Sequence, residues 1–494
     1  MGISNSNAGR PYLLYAILAV AIALRLVGAF SANLIFDERA HWALAETIDL
    51  RPGHLHLVSR TLDHPLLSIY VLRLGSFVLG TSDFALRLPY VLAGAATLVP
   101  VYLLGRRAFG DRAGLLAAAL LAVDQFHAGW SRVFMPETLM LLLVSLGLLQ
   151  FLRVLEHGTP GRFAGLGALL GLAYLAKEPG ILLTAGLWVY LLVTPAHRRL
   201  LIDPRWYLAH AVMLLVVAPD LLWNLSQWSE SYLHRDLALA TDSLRIQFKP
   251  ASLYLGEWLR GCWDRDVFGD DYEQGNLYVC SAVAGVVYLA GVVGVMVKGV
   301  LKPDAQARNA AGLAREAGFL ACASGFKSAT HGTGETPVAP AGDNPPHAVR
   351  GLLAARCLVV CFLVVVGVFT ILPGGTQFDP FWWPSISLIP AVVCAGGAID
   401  RLTADRRLLQ AVVVLAMLGL GVRTLVLLRT PGPLEPRATV RQFVDDFLEK
   451  GNEALRRHDL GEAQYRFIYA LNIGGPCPEA YDGLAQIARE RNGH

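Results

Sequence analysis

The chain has 494 residues, of which 54% are hydrophobic and only 16% charged, with a formal net charge of +3. A soluble domain carries about 25% charged residues, so lipid is the solvent for much of this chain, in line with a mean hydropathy of +0.46. The small net charge argues against a nucleic-acid partner, which needs a strongly basic patch, and seven cysteines, an odd number, supply no disulfide framework and no CxxC metal pair.

The first apolar run, about 12–30, is too long for a leader and lacks a small-residue cleavage signal, so it reads as a retained membrane span. Further runs fall at about 88–105, 114–127, 137–155, 163–176, 180–194, 206–223, 277–297, 353–372, 382–399 and 408–428, giving about 11 spans. The run 66–80 carries Arg73 in its middle and is expected to lie in the interface. Every second connection is basic, as in "GRRAFGDR", which puts the N-terminus in the cytoplasm, the C-terminus outside, and the protein in the inner or cell membrane.

This topology leaves two long outer loops, 31–87 and about 224–276. The segment 303–350, rich in Gly, Pro, Ala and Thr and lacking apolar periodicity, is expected to be a disordered inner loop. The membrane domain then covers 1–430. From 431 to 494 the chain turns charged and helical, with Gly451, Ala463, Phe467, Ala470 and Pro476 at spacings resembling a tetratricopeptide repeat. One such unit cannot bury its apolar face alone, so it is expected to dock on the membrane domain, on itself or on a protein partner.

The first outer loop opens with "FDERAHWALAETIDL", where Asp37, Glu38 and Arg39 follow the first span directly. Trp42, Ala45 and Ile48 share one stripe of a helix that begins near Asp37 and lies along the outer interface. Consecutive side chains point about 100° apart, so only one carboxylate can face a given cleft. Asp37 at a helix N-terminus is favoured by the dipole, and on this feature alone capping and catalysis are equally good readings. Other ionisable groups gather at the outer helix ends: Asp63 and His64, Arg132 and Glu137 in "WSRVFMPE", and Lys177 in "KEPG". Such groups are costly at membrane depth and mark a site or a pathway.

The order "FDERAHWAL", "DHPLLSIYVLRLGSFVLGTSDFALRLPYVL", "WSRVFMPETLMLLL" and "GLAYLAKEPGILL" resembles the GT-C glycosyltransferases, in the branch of protein O-mannosyltransferases and aminoarabinose-type lipid transferases, over residues 11–200. The resemblance implies an all-α polytopic fold with outer-face interfacial helices, and transfer of a sugar from a polyprenyl-phosphate lipid to a protein, lipid or glycan acceptor on the outer face. It implies Asp37 as general base, with Glu38 orienting it or the acceptor. Glu137 matches the acidic position of the second outer loop, and Lys177 matches a lysine placed near the lipid phosphate. His64 and Pro65 resemble a His-Pro-Pro-Leu motif, with Leu66 in place of the second proline. Asp124 falls where the family has a small polar residue.

The chemistry is consistent with that class. No Walker or dinucleotide loop occurs in the chain, and outside the cytoplasm an activated sugar must arrive on a lipid. Transfer then needs a carboxylate to take the acceptor proton and cations to stabilise the departing phosphate; Arg39, Arg132 and Lys177 are candidates for the second role. Asp264 and Asp266 form a D-x-D pair of hard oxygen ligands that would suit Mg²⁺ or Mn²⁺, and a hydrated acidic loop explains them better. Two other classes compete. A secondary transporter would also need intramembrane acids but predicts two matching halves, which this sequence lacks. A scaffold displaying the tail leaves the polar groups of the first 180 residues unexplained.

Overall fold

The computed structural model describes residues 10–31, 38, 41, 42, 44, 45, 48, 65, 67–226, 276–296, 347–371, 384–429, 437–474 and 477–491. Every apolar run but 114–127 has become one helix close to its expected bounds: α1 Arg10–Ser31, α2 Leu67–Leu79, α3 Asp83–Phe109, α4 Asp111–Val123, α5 Gln125–Ser131, α6 Pro136–Glu156, α7 Pro160–Ala176, α8 Ile181–Val193, α9 Pro204–Ser226, α10 Asn276–Val295, α11 His347–Ile371, α12 Pro384–Thr403 and α13 Arg407–Arg429. Helix starts follow local chemistry. The Ser82 side chain accepts the Ala85 amide at 3.3 Å to open α3, and prolines occupy the first positions of α6 and α7, where a missing N–H costs nothing.

Among the described residues, α3, α6, α9 and the Arg407–Val426 part of α13 are long and apolar enough to cross a membrane. The chain is thus an all-helical, multi-pass membrane protein. Sixty-one per cent of the apolar window is buried in α3 and in α6 against 11% in α13, so α3 and α6 form the centre and α13 faces lipid. After α8 the chain turns by 117° into the 3₁₀ segment Pro195–Ile202, which buries none of its residues.

Two expectations need correction. The run 114–127 is not one helix: it breaks at Asp124, whose carboxylate caps α5. The expected inner loop 303–350 ends early, because α11 already begins at His347; its residues 303–346 lie outside the described ones.

Lipid tails are as apolar as leucine, so a membrane bundle is held by close packing rather than by water exclusion. Helix α7 meets α9 at Gly167, where an added Cβ would come within 1.9 Å of the Ala209 carbonyl oxygen. Gly167→Ala is therefore expected to push the two helices apart and cost about 1–3 kcal/mol or more. Thermal unfolding in detergent checks this, with Gly161→Ala, where a Cβ meets nothing within 4 Å, as the neutral control.

The tail forms three further helices, α14 Arg437–Arg456, α15 Leu460–Gly474 and α16 Pro478–Arg491. They close on Phe467, which is fully buried together with Ala463 and Ala470. Gly451 and Gly483 abut its ring so tightly that a Cβ would fall 2.8 Å and 2.3 Å from it.

Candidate active site

The site grows from the stretch Arg132–Glu137, which leads from the end of α5 into the first turn of α6. Its Phe134 amide donates to Glu38 Oε1 at 3.2 Å. Glu38 also receives Arg87 of α3 in a two-pronged bond, Nε to Oε1 at 2.8 Å and Nη2 to Oε2 at 2.6 Å. Both side chains are wholly buried. Bidentate guanidinium–carboxylate geometry is the strong form of such a pair. Arg87 further ties the end of α1 by donating Nη1 to Ala29 O at 3.3 Å. One turn on, Tyr90 Oη donates to Ser68 O at 2.7 Å and docks α2 against α3.

Arg132, 1% exposed, donates Nη1 to Leu428 O at 3.0 Å, at the last turn of α13. Glu137 and Lys177 form a buried ion pair, Nζ donating to Oε1. Each charge suits its backbone. Glu137 stands in the first turn of α6, and Lys177 is the extended residue that ends α7; a helix dipole favours an anion at the first place and a cation at the second. The Thr138 hydroxyl donates to Trp130 O at 2.9 Å and holds the two arms of the stretch together.

Of the residues singled out from the sequence, Glu38, Arg132, Glu137 and Lys177 are thus gathered along one seam: Glu38 bonds the 132–137 stretch at Phe134, and Arg132, Glu137 and Lys177 lie on it or against it. Asp37, Arg39, Asp63, His64, Asp264 and Asp266 lie outside the described residues. Ala45 and Ile48, two of the three residues of the expected stripe, are buried at 0% and 2% exposure. Among the described residues no group of three His, Cys, Asp or Glu gathers where a metal could sit. Arg87 escaped the sequence reading although a lone arginine inside "FALRLPYVL" is the same kind of signal as the residues that were found. Among the described residues the seam holds three cations, Arg87, Arg132 and Lys177, against two carboxylates, Glu38 and Glu137.

The polytopic helical bundle, with charged side chains buried along one seam, has a GT-C-like fold. The chain superposes on ArnT from Cupriavidus metallidurans in the apo state with a TM-score of 0.50 and 17% identity, covering 98% of this chain and 78% of that one. The archaeal oligosaccharyltransferase AglB from Archaeoglobus fulgidus, solved with an inhibitory peptide and a dolichol-phosphate, gives a TM-score of 0.47 and 16% identity over 96% of this chain and 61% of that one. The S. cerevisiae Pmt1-Pmt2 complex bound to its sugar donor gives 0.35 and 15% over 46% and 34%. No curated protein matches the sequence. Residues 63–223 match the family of dolichyl-phosphate-mannose-protein mannosyltransferases. Over that segment the chain is similar to this family, whose description names a lipid-linked sugar donor, dolichyl-phosphate-mannose.

Proposed function

We propose that the protein transfers a sugar from a polyprenyl-phosphate donor to a protein, lipid or glycan acceptor on the outer face of the membrane, with Asp37 as the general base. The observation that carries this reading is the buried seam of Arg87, Arg132 and Lys177 within the segment that matches the family. In that reading Lys177 and Arg132 bind the phosphate of the donor and stabilise it as it leaves. Both oxygens of Glu38 are engaged by Arg87, so Glu38 is a structural anchor and its sequence neighbour Asp37 takes the acceptor proton. Arg39, Asp63 and His64 complete the outer rim of the site. Asp264 and Asp266 belong to the large outer loop, and a divalent cation there is a separate question for a chelator experiment.

The reading includes a membrane domain over 1–430 with 11 spans, its N-terminus cytoplasmic and its C-terminus outside, and a tetratricopeptide-like unit over 431–494 that docks on the outer loops or recruits a protein partner. A single displacement at the anomeric carbon inverts its configuration. Transfer from a radiolabelled polyprenyl-phosphate sugar pool in membranes tests the proposal. Asp37→Asn keeps the shape, removes the base, and is expected to lower transfer by about a hundredfold or more, with protein abundance unchanged and the product anomer inverted. Equal transfer by both proteins would move the base to another outer-face carboxylate, and a retained anomer would exclude the single displacement.

A further inference from the structure

We infer that Arg25 is a positioning residue: it fastens the break between α4 and α5 and so sets the Arg132–Glu137 stretch in the site. Arg25 lies within the apolar first span and is wholly buried. A helix that stops inside a membrane leaves its last carbonyls without partners, and lipid offers none. Here α4 stops at Val123, and each of its last three carbonyls is taken by a side chain from another span. Arg25 donates Nη2 to Leu121 O at 3.3 Å and Nη1 to Ala122 O at 3.2 Å. Thr424 of α13 donates its hydroxyl to Val123 O at 2.7 Å.

The other side of the break is held as firmly. Asp124 accepts the His127 amide at 2.8 Å as the cap of α5 and the Tyr288 hydroxyl of α10 at 2.9 Å. Arg423 of α13 donates to Gln125 Oε1. Arg25 Nη2 also reaches His127 Nδ1 at 2.7 Å; a guanidinium only donates, so His127 accepts through Nδ1 and carries its proton on Nε2. One arginine therefore bonds the end of α4 and the first turn of α5 together. Helix α3 passes directly over this junction at Gly94, where a Cβ would fall 2.1 Å from Ser131 Oγ and 3.4 Å from Arg25 Nε. Ser131 precedes Arg132, so the length and direction of α5 decide where Arg132, Phe134 and Glu137 arrive. An arginine buried in a span is costly, and satisfying a break that the site requires is the reason to keep it there.

The link from this junction to the donor lipid rests on the proposed function; the junction itself does not. Hydrogen exchange of the purified full-length protein, with binding of undecaprenyl phosphate measured on the same samples, separates the two. In Arg25→Gln the amides of 125–134 are expected to exchange about tenfold faster while α7 and α9 keep their wild-type rates, and undecaprenyl phosphate is expected to bind about tenfold more weakly. Arg25→Lys, which can still donate to the carbonyls, should recover most of both. Thr424→Val, which leaves Val123 O without its donor, should speed exchange over the same residues to a smaller degree and so tests the junction even if Arg25→Gln does not fold. Unchanged exchange over 125–134, or acceleration spread evenly through the bundle, would overturn the proposal. If the wild type binds no undecaprenyl phosphate, the donor reading fails, and the exchange pattern still decides the junction.

Discussion

Replacing Arg87 with leucine is expected to cost about 3–5 kcal/mol of stability, the usual penalty for leaving one member of a buried ion pair behind. Glu38 is wholly buried, and three of the bonds to its carboxylate come from Arg87 and the Phe134 amide. Without the guanidinium the buried carboxylate loses its two-pronged partner, and keeping its charge there becomes costly. Removing both charges should hurt far less than removing one, because the double variant Glu38→Gln with Arg87→Met buries no charge. A double-mutant cycle on the unfolding midpoint in a single detergent therefore should show strong coupling. If the double variant is as unstable as Arg87→Leu alone, the pair contributes packing volume and the electrostatic account is wrong.

That pair also marks the limit of what the sequence discloses. The helices are legible because an apolar run of about 20 residues in lipid has only one way to satisfy its backbone. Arg132, Glu137 and Lys177 are legible because they stand at the ends of such runs, where a charge stands out. Arg25 sits inside a run and Arg87 at the start of one, within α3, and a hydropathy average over about 19 residues absorbs a single arginine. Most of their partners are far along the chain as well: Glu38 lies 49 residues before Arg87, and besides Ala21 O in its own helix Arg25 binds carbonyls 96 and 97 residues after it. Nothing local encodes those separations. The break at Asp124 is hidden for a related reason. Asp124 follows an alanine- and leucine-rich run that would continue as helix anywhere else, and only donors from α1, α10 and α13 make stopping there affordable.

If Lys177 meets the donor phosphate as proposed, Lys177→Met lowers kcat/KM for the lipid-linked donor by about a hundredfold or more, the scale on which removing one charge that faces a developing anion is felt. Neutralising its partner should be milder. Glu137→Gln leaves the ammonium in place at the end of α7 but loosens it, so a loss of about tenfold is expected, carried mainly by KM because in the proposed role a cation still meets the phosphate. The exchanged pair Glu137→Lys with Lys177→Glu discriminates between two roles for these residues. If Lys177 serves only as the mate of Glu137, the swap restores a buried pair and should restore transfer. The backbone argues otherwise, because the swap puts a cation at the first turn of α6 and an anion at the end of α7, opposed by both helix dipoles. The swapped protein is therefore expected to be less stable than the wild type and to transfer no more sugar than Lys177→Met. Recovery of transfer in the swap would show that the pair, and not the placement of its positive charge, is what the reaction needs.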